Sequence, residues 1–199
     1  QPTLLLPALG VVYRLGKESN YLLRLNASMN AKYPNLNDLF WQPGGNPDLQ
    51  VERSKNLELG IANQYLFIKD WMSWKIEATA YYMLINDYIL WQPTAFGYWK
   101  SDNLQEVVSR GGEVNWSIRT KWKKLRNTTT VQYGYTSSVN QLAKQENDAS
   151  KNKQLIYVPE HSMNIFSQFN FKQWQIIYQL NYTGLRYTAT DNSDFLPFY

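Results

Sequence analysis

Apolar and polar residues alternate one for one along much of this chain, and short polar stretches punctuate the alternation. From Trp174 to Gly184, the residues Trp174, Ile176, Tyr178, Leu180 and Tyr182 interleave with Gln175, Gln179, Asn181 and Thr183. A β-strand sends successive side chains to opposite faces, so this run has one apolar face and one wet face. The same period links Trp74, Ile76, Ala78, Ala80, Tyr82 and Leu84 against Lys75, Glu77, Thr79 and Tyr81, and Val114, Trp116 and Ile118 against Glu113, Asn115, Ser117 and Arg119. It returns in Leu57, Leu59, Ile61, Tyr65 and Phe67 against Glu58, Gly60, Ala62 and Gln64, and in Tyr21, Leu23, Leu25 and Ala27 against Arg24, Asn26 and Ser28. With weaker runs at Thr3 to Leu15, Asn127 to Ser138 and His161 to Phe171, the pattern predicts about eight strands and little helix.

The connections carry a second signal. Short turns are predicted at Gly16-Lys17-Glu18-Ser19-Asn20, Lys69-Asp70-Trp71, Lys121 to Arg126 and Lys172-Gln173. Long polar loops are predicted at Ala31 to Arg53, Gln92 to Leu104, Asn140 to Glu160 and from Ala189 onward. Short and long alternate, so tight turns gather at one end of the strands and long loops at the other. A bacterial outer-membrane barrel sorts its connections this way, and its strands need about ten residues each. Tyr13, Tyr21, Tyr65, Phe67, Trp71, Trp74, Trp122, Phe171 and Trp174 cluster near the short turns, where an interfacial girdle belongs. A soluble, aromatic-rich β-sandwich that binds carbohydrate would explain the period of two but not the sorting of the loops.

Composition agrees with the barrel. Aromatics make up 16% of the 199 residues while mean hydropathy is only -0.50, so apolar surface is spread thinly among polar positions. No run approaches the roughly 18 apolar residues of a membrane-crossing helix, and Gln1-Pro2-Thr3 opens no signal peptide, which excludes a helical membrane protein but not a barrel. The absence of cysteine (Cys 0) removes disulfides, thiolate metal sites and Cys nucleophiles. A net charge of +4 is mild, and its densest stretch, Lys121 to Arg126, reads as a solvated turn, with contact to nucleic acid or anionic headgroups as the lesser alternative; no nucleic-acid partner is expected.

Candidate chemistry is sparse. His161 is followed by Ser162, but neighbours on a strand point to opposite faces and cannot form a nucleophile–base pair, so no catalytic residue is expected. Asn147, Asp148, Asp191, Asn192 and Asp194 offer oxygen ligands without EF-hand spacing, and turn chemistry accounts for them; no metal or cofactor is expected. Glu58, Glu113, Lys75 and Arg119 fall on the wet face, where a charge meets water instead of lipid.

The segment "NAKYPNLNDLFWQPGGNPDLQVERSKNLELG", Asn30 to Gly60, resembles one that recurs in TonB-dependent outer-membrane receptors. In that family a loop opens with a Pro and a Leu-aromatic pair, continues as Asn-Pro-x-Leu-x-Pro-Glu-x-Ser, and enters a strand carrying Glu-x-Gly. Here these are Pro34, Leu39-Phe40, Asn46 to Ser54 and Glu58-Leu59-Gly60, with Val51 where the family usually has Pro. "YYMLINDYILWQP" from Tyr81, Asn103 with Gly112-Glu113, "YVPEH" from Tyr157 and "TGLRYTATDNSDFLP" from Thr183 resemble later strand and loop edges. Within the family, "NDLFWQPGGNPDL" and "DNSDFLPFY" look most like the cobalamin (vitamin B12) branch of Bacteroidetes-type bacteria, with ferric-siderophore receptors as the alternative.

The resemblance implies an all-β, antiparallel transmembrane β-barrel portion in the bacterial outer membrane, about eight strands of a 22-stranded barrel. It implies that residues 1–199 are a C-terminal-half fragment of the barrel domain, with the plug domain, its TonB box and the final strands absent. The implied partners are outer-membrane lipid, TonB through that missing N-terminal part, a small-molecule ligand of corrinoid type, and a surface-exposed lipoprotein. For ligand capture the candidates are the loop aromatics Phe40, Trp41, Tyr98 and Trp99 with the amides of Asn37 and Asn103; Gln92 and Phe96 stand beside them, and Trp91 and Tyr157 read first as the outer girdle.

Overall fold

The computed structural model describes residues 4–16, 20–63, 66–69, 71–142 and 148–199. Thr3, Lys17-Glu18-Ser19, Gln64, Tyr65, Asp70, Asn147 and the Phe67 side chain, named above, lie outside the described residues. One antiparallel sheet organises the rest: β1 (Ala8–Arg14), β2 (Tyr21–Lys32), β3 (Glu52–Asn63), β4 (Leu66–Lys69), β5 (Met72–Pro93), β6 (Trp99–Trp122), β7 (Leu125–Leu142), β8 (His161–Phe171) and β9 (Trp174–Thr183). Each long strand pairs with its neighbour in sequence, in the order β1-β2-β3-β5-β6-β7-β8-β9, and β4 pairs with β5. A meander of this kind needs only short connections between adjacent antiparallel strands. The described strands do not close on themselves, so β1 and β9 are the edges of the described sheet.

Register turns the alternation into rows. Leu23, Ile61, Ala78, Val114, Tyr133, Met163 and Tyr182 lie side by side across seven strands. The next row, shifted by one residue, is Arg24, Gly60, Thr79, Glu113, Gly134, Ser162 and Thr183. One face is therefore apolar and the other polar or small. The apolar face is the exposed one: Leu59 is 58% and Ile176 65% accessible, while Gly60 and Ala62 opposite them are buried. In water this would be inside out, so the solvent of the apolar face is lipid. On the polar face Glu77 lies 2.6 Å from Lys75 and 3.9 Å from Arg24, and Asn26 donates to Glu58.

The short-turn end carries the expected girdle. Trp122 and Leu125 flank one turn, Phe171 and Trp174 another, and each turn begins with a positive-φ lysine whose ammonium lies over the preceding ring: Lys123 at 5.8 Å from Trp122 and Lys172 at 5.5 Å from Phe171. An aromatic at the headgroup level beneath a solvated cation suits a membrane boundary.

Two expectations need correction. Gln92 to Leu104 is not a long loop: β5 runs to Pro93, β6 starts at Trp99, and only residues 94–98 turn between them, with the Thr94 amide on the Tyr98 carbonyl. The polar residues there belong to a hairpin that projects past the membrane belt, and their polarity serves contacts to the loops that cover it. The strand bounds move accordingly, so β5, β6 and β7 reach 22, 24 and 18 residues. The stretch from Leu57 to Phe67 is likewise divided between β3 and β4. Beyond β9, Arg186–Tyr187 (β10) pairs with Phe195–Leu196 (β11), so the segment after Ala189 returns as a small hairpin.

Candidate functional site

The loop end is organised by the projecting β5–β6 hairpin, whose faces are covered by different segments. On the face carrying Ile89, Trp91, Ser101 and Asn103 sits the segment between β2 and β3. Its five-residue helix α1 (Leu36–Phe40) starts at a capping box: the Asp38 amide donates to Asn35 Oδ1 and the Asn35 amide to Asp38 Oδ2, both at 2.9 Å. Each bond satisfies a backbone donor that a helix start leaves free. Asp38 is buried at 5% and also accepts the Trp91 indole N–H at 2.8 Å, while its carbonyl accepts the Ser101 hydroxyl at 2.7 Å. A buried carboxylate is tolerated only when its oxygens are met by donors, and here both are.

Further along, the Ser101 amide donates to the Gly44 carbonyl at 2.9 Å, and the Gln50 amide to Asn103 Oδ1 at 2.8 Å. Asn103 Nδ2 donates to the Asp87 carbonyl at 2.6 Å and the Gln50 carbonyl at 3.3 Å. Gly44 must be glycine, because a Cβ there would run into the Trp99 carbonyl. Ile89 N–H donates to Glu52 at 3.1 Å, and Lys32 approaches the same carboxylate at 3.8 Å.

The opposite face of the hairpin packs against the segment between β7 and β8. Leu155 joins Ile85, Leu104 and Val107 in a buried cluster flanked by Tyr88, Leu90 and Val158. Gln154 and Asn192 exchange a reciprocal pair of bonds at 3.0 and 2.9 Å, which fastens the final hairpin to the same layer. Burial, with the Glu52 carboxylate adding to it, raises the Tyr88 phenol above its ordinary 10.0. The Ser193 hydroxyl and amide hold the Asp191 carboxyl below its ordinary value.

The candidate residues divide sharply in this frame. Phe40 and Trp41 are each 59% exposed, Asn37 is exposed, and Trp99 is 42% exposed. The Gly44–Gly45 segment lies against the Trp99 backbone on one side and the Phe40 and Trp41 backbones on the other, so the three rings stand on adjacent segments. Trp99 contacts Tyr157 at a centroid distance of 5.7 Å, and Tyr98 stacks on Phe96 at 6.4 Å at the hairpin tip. Asn103 is different: it is 8% exposed and both ends of its amide are committed to backbone, so it holds the covering segment in place. Trp91 is bound to Asp38 in the same way.

Of the oxygen-bearing loop residues, Asp148 accepts from Ser150, Asp191 from Ser193, Asp194 from Thr188 and Phe195, and Asn192 is tied to Gln154. His161 Nδ1 lies 2.8 Å from the Tyr133 hydroxyl on the lipid-facing side. Asp38, Gly44 and Ser101, which fix the aromatic group, were missed by sequence reasoning. Asn35 followed three residues later by an acid is the helix-start signal that could have found the first of them.

Comparison with known proteins gives the arrangement its context. A family model described as "TonB dependent receptor-like, beta-barrel" matches residues 2–198. The vitamin B12 transporter BtuB of Photobacterium profundum is 28% identical over 195 residues, covering 94% of this chain and 29% of that protein. BtuB of Vibrio vulnificus is 32% identical over 84 residues, covering 42% of this chain and 13% of that protein. Among solved structures, the copper transporter OprC superposes with a TM-score of 0.70 at 14% identity, and the ferric yersiniabactin uptake receptor FyuA of Yersinia pestis with 0.66 at 14%. Each alignment covers 96% of this chain and under a third of the neighbour, 29% and 28% respectively. At such identity these likenesses show the fold, and it is that of outer-membrane barrels. The chain belongs to the TonB-dependent receptor family and contributes strands and loops of its outer-membrane β-barrel.

Proposed function

We propose that this chain forms part of a receptor that captures a scarce nutrient at the cell surface and passes it inward by TonB-driven transport, and that the nutrient is a corrinoid of the cobalamin class. On this reading residues 1–199 are a C-terminal-half portion of the barrel, and the plug and TonB-contacting segment belong to the rest of the protein. The chemistry is binding and gating, with no bond in the cargo made or broken. The observation that carries the reading is the exposed aromatic group Phe40, Trp41 and Trp99, held on adjacent segments at the loop end by buried polar anchors.

A broad, flat ligand with apolar faces and amide edges is matched by rings that cover its faces and by the exposed amide of Asn37. Tyr98 extends the aromatic surface at the hairpin tip, and Asn103 acts by keeping the covering segment closed. The similarity to one B12 transporter along 94% of the chain and to a second along 42% favours a corrinoid over a ferric siderophore. A surface lipoprotein lid would dock over this same loop end.

The test is direct binding by the intact receptor, cyanocobalamin against a ferric siderophore. Cobalamin binding that weakens in Trp41→Ala and Trp99→Ala supports the reading. Siderophore binding without cobalamin binding would move the assignment to the iron branch.

A further inference from the structure

The basic stretch Lys121 to Arg126 has no part in ligand capture, and strand geometry splits it into two sets. Lys123 and Lys124 form the turn between β6 and β7, with the Lys123 ammonium over the Trp122 ring. Lys121 and Arg126 are cross-strand partners one position back from the Trp122–Leu125 pair. Alternation sends them to the wet face, which on β6 also carries Glu113, Asn115, Ser117 and Arg119. The turn lysines therefore meet the membrane boundary, and Lys121 and Arg126 meet the water inside the barrel.

These inward cations line a recess. Trp71, Ser73, Arg119, Lys121, Arg126 and Thr128 surround about 190 Å³ on β5, β6 and β7 at the short-turn end. Ser73 is buried and Thr128 half-buried, so two hydroxyls lie beneath three exposed cations. Lys121 stands directly opposite Arg126, about 5 Å away between Cβ atoms, and Arg119 is two residues along β6, about 7 Å away. Like charges placed opposite one another on a sheet repel and cost stability. Neither Lys121 nor Arg126 is in an ion pair among the described residues, and no Asp or Glu among them lines the recess. Asp70, next to Trp71 in sequence, lies outside the described residues.

Position says what could supply the missing charge. Along β6 the wet face changes sign, from Glu113 to Arg119 and Lys121, over about 27 Å of strand. On β5, Glu77 is compensated by Lys75 at 2.6 Å, and no carboxylate follows on that strand toward the short-turn end. An anionic group moving inward thus leaves carboxylates behind and meets the uncompensated pair Lys121 and Arg126 last. The recess is too small for a folded segment and suits a single tetrahedral oxyanion with its substituents.

We propose that this recess is an anion site at the inner end of the passage, and that it takes a phosphodiester carried by the cargo. The Arg126 guanidinium offers the two-pronged donor geometry that suits phosphate oxygens, Lys121 a point charge opposite it, and Ser73 and Thr128 hydroxyl donors. Arg119 closes the third side. Cobalamins carry one phosphodiester, whereas cobinamides are corrinoids that lack it. The identity of the cargo rests on the function proposed above; the affinity of the recess for a phosphate ester does not.

The test has two arms, both on the full-length receptor. In the first, the receptor in detergent is titrated with dimethyl phosphate and with inorganic phosphate, and binding is read from phosphorus NMR line broadening. Wild type should bind the diester, more weakly as salt is raised, and Lys121→Gln and Arg126→Gln should each weaken binding by about fivefold. Arg126→Lys should keep most of it. A heat-shifted band on a denaturing gel shows that each barrel is folded. In the second arm, cells carrying the Lys121→Gln/Arg126→Gln receptor should bind cyanocobalamin at the surface as wild type does, deliver it about fivefold more slowly, and deliver cobinamide at the wild-type rate. A wild-type receptor that binds no cobalamin would remove the corrinoid reading alone, and the diester titration would still decide the site. Undiminished diester binding in the double variant would overturn the proposal, as would diester binding that appears only in Asp70→Asn, where the chain itself supplies the counter-charge. Preference for inorganic phosphate over the diester, or equal slowing of cyanocobalamin and cobinamide, would also overturn it, because the anion would then not be the cargo's.

Discussion

The membrane belt and the loop-end cap belong to the same strands yet obey opposite rules. In the belt, Leu57, Leu59, Ile61 and Ile176 point outward and are exposed, and the sheet is held by its backbone ladder. In the cap, Leu49, Ile85, Ile89, Leu104, Val107, Leu155 and Ile156 are buried, and side chains such as Asp38 and Asn103 are fully engaged. Among the described residues only Ala62, and Val108 at the upper rim of the belt beside Leu84, are buried hydrophobics outside the cap. The difference teaches that solvent, and not strand geometry, decides which face is hidden. β5 and β6 pass from lipid into water, and their apolar residues change from covering the outside to filling an inside.

The comparison can be broken most severely at Leu104. Leu104→Asp places a carboxylate in the buried cluster at a cost on the order of 4 kcal/mol or more. The cap should open while the barrel stays folded. Limited proteolysis should therefore cut between β2 and β3 or between β7 and β8 with the heat-shifted gel band intact. Loss of the band at the same time would mean that cap and belt are one cooperative unit.

Next in size, Leu59→Arg on the lipid face should cost about 2–4 kcal/mol of barrel stability, because a charge near mid-bilayer faces hydrocarbon. Equilibrium unfolding into denaturant from bilayers would measure it, and the cap's protease resistance should be unchanged. A smaller loss, about 1–3 kcal/mol, is expected for Asp38→Ala, which strands the Trp91 indole N–H and the Asn35 amide. Hydrogen exchange should rise in residues 35–50, with no effect on the belt.

The mildest effect is set by pH. The Tyr88 phenol is raised by burial and then by Glu52, so its folded value lies above the unfolded one. The stability it lends is fully present below the ordinary value of 10.0 and is lost as pH rises through the raised value. Alkaline titration should loosen the cap in wild type and less in Tyr88→Phe.

The belt was legible in the sequence because one uniform solvent on each face leaves a clean period of two, as Trp174 to Thr183 shows. Ile177 breaks the pattern without disturbing the register, since Gln175 and Gln179 on either side hold the polar face. The cap was not legible for the opposite reason. Pro93, Gly97, Lys100, Ser101, Asp102 and Asn103 have a loop's composition, yet five of the six are strand residues. Ser101 and Asn103 are polar because the covering segment presents backbone groups to them, which strand periodicity cannot reveal. The exposed rings Phe40, Trp41 and Trp99 could be picked out by type, but only the fold showed that Gly44 brings them together.

The exchange of rules between belt and cap is tested most directly by site-directed spin labelling of the receptor in bilayers, aided by the absence of cysteine from this sequence (Cys 0). Single cysteines would replace residues 57–62 in the belt and 102–107 in the cap, and each label's accessibility to oxygen and to a water-soluble nickel complex would be read. The two-solvent reading predicts oxygen-accessible maxima at Leu57, Leu59 and Ile61, nickel access in place of oxygen access at Glu58, and low accessibility to both probes at Leu104 and Val107. Equal nickel accessibility at Leu59 and Glu58, or a lipid-exposed Leu104, would contradict it.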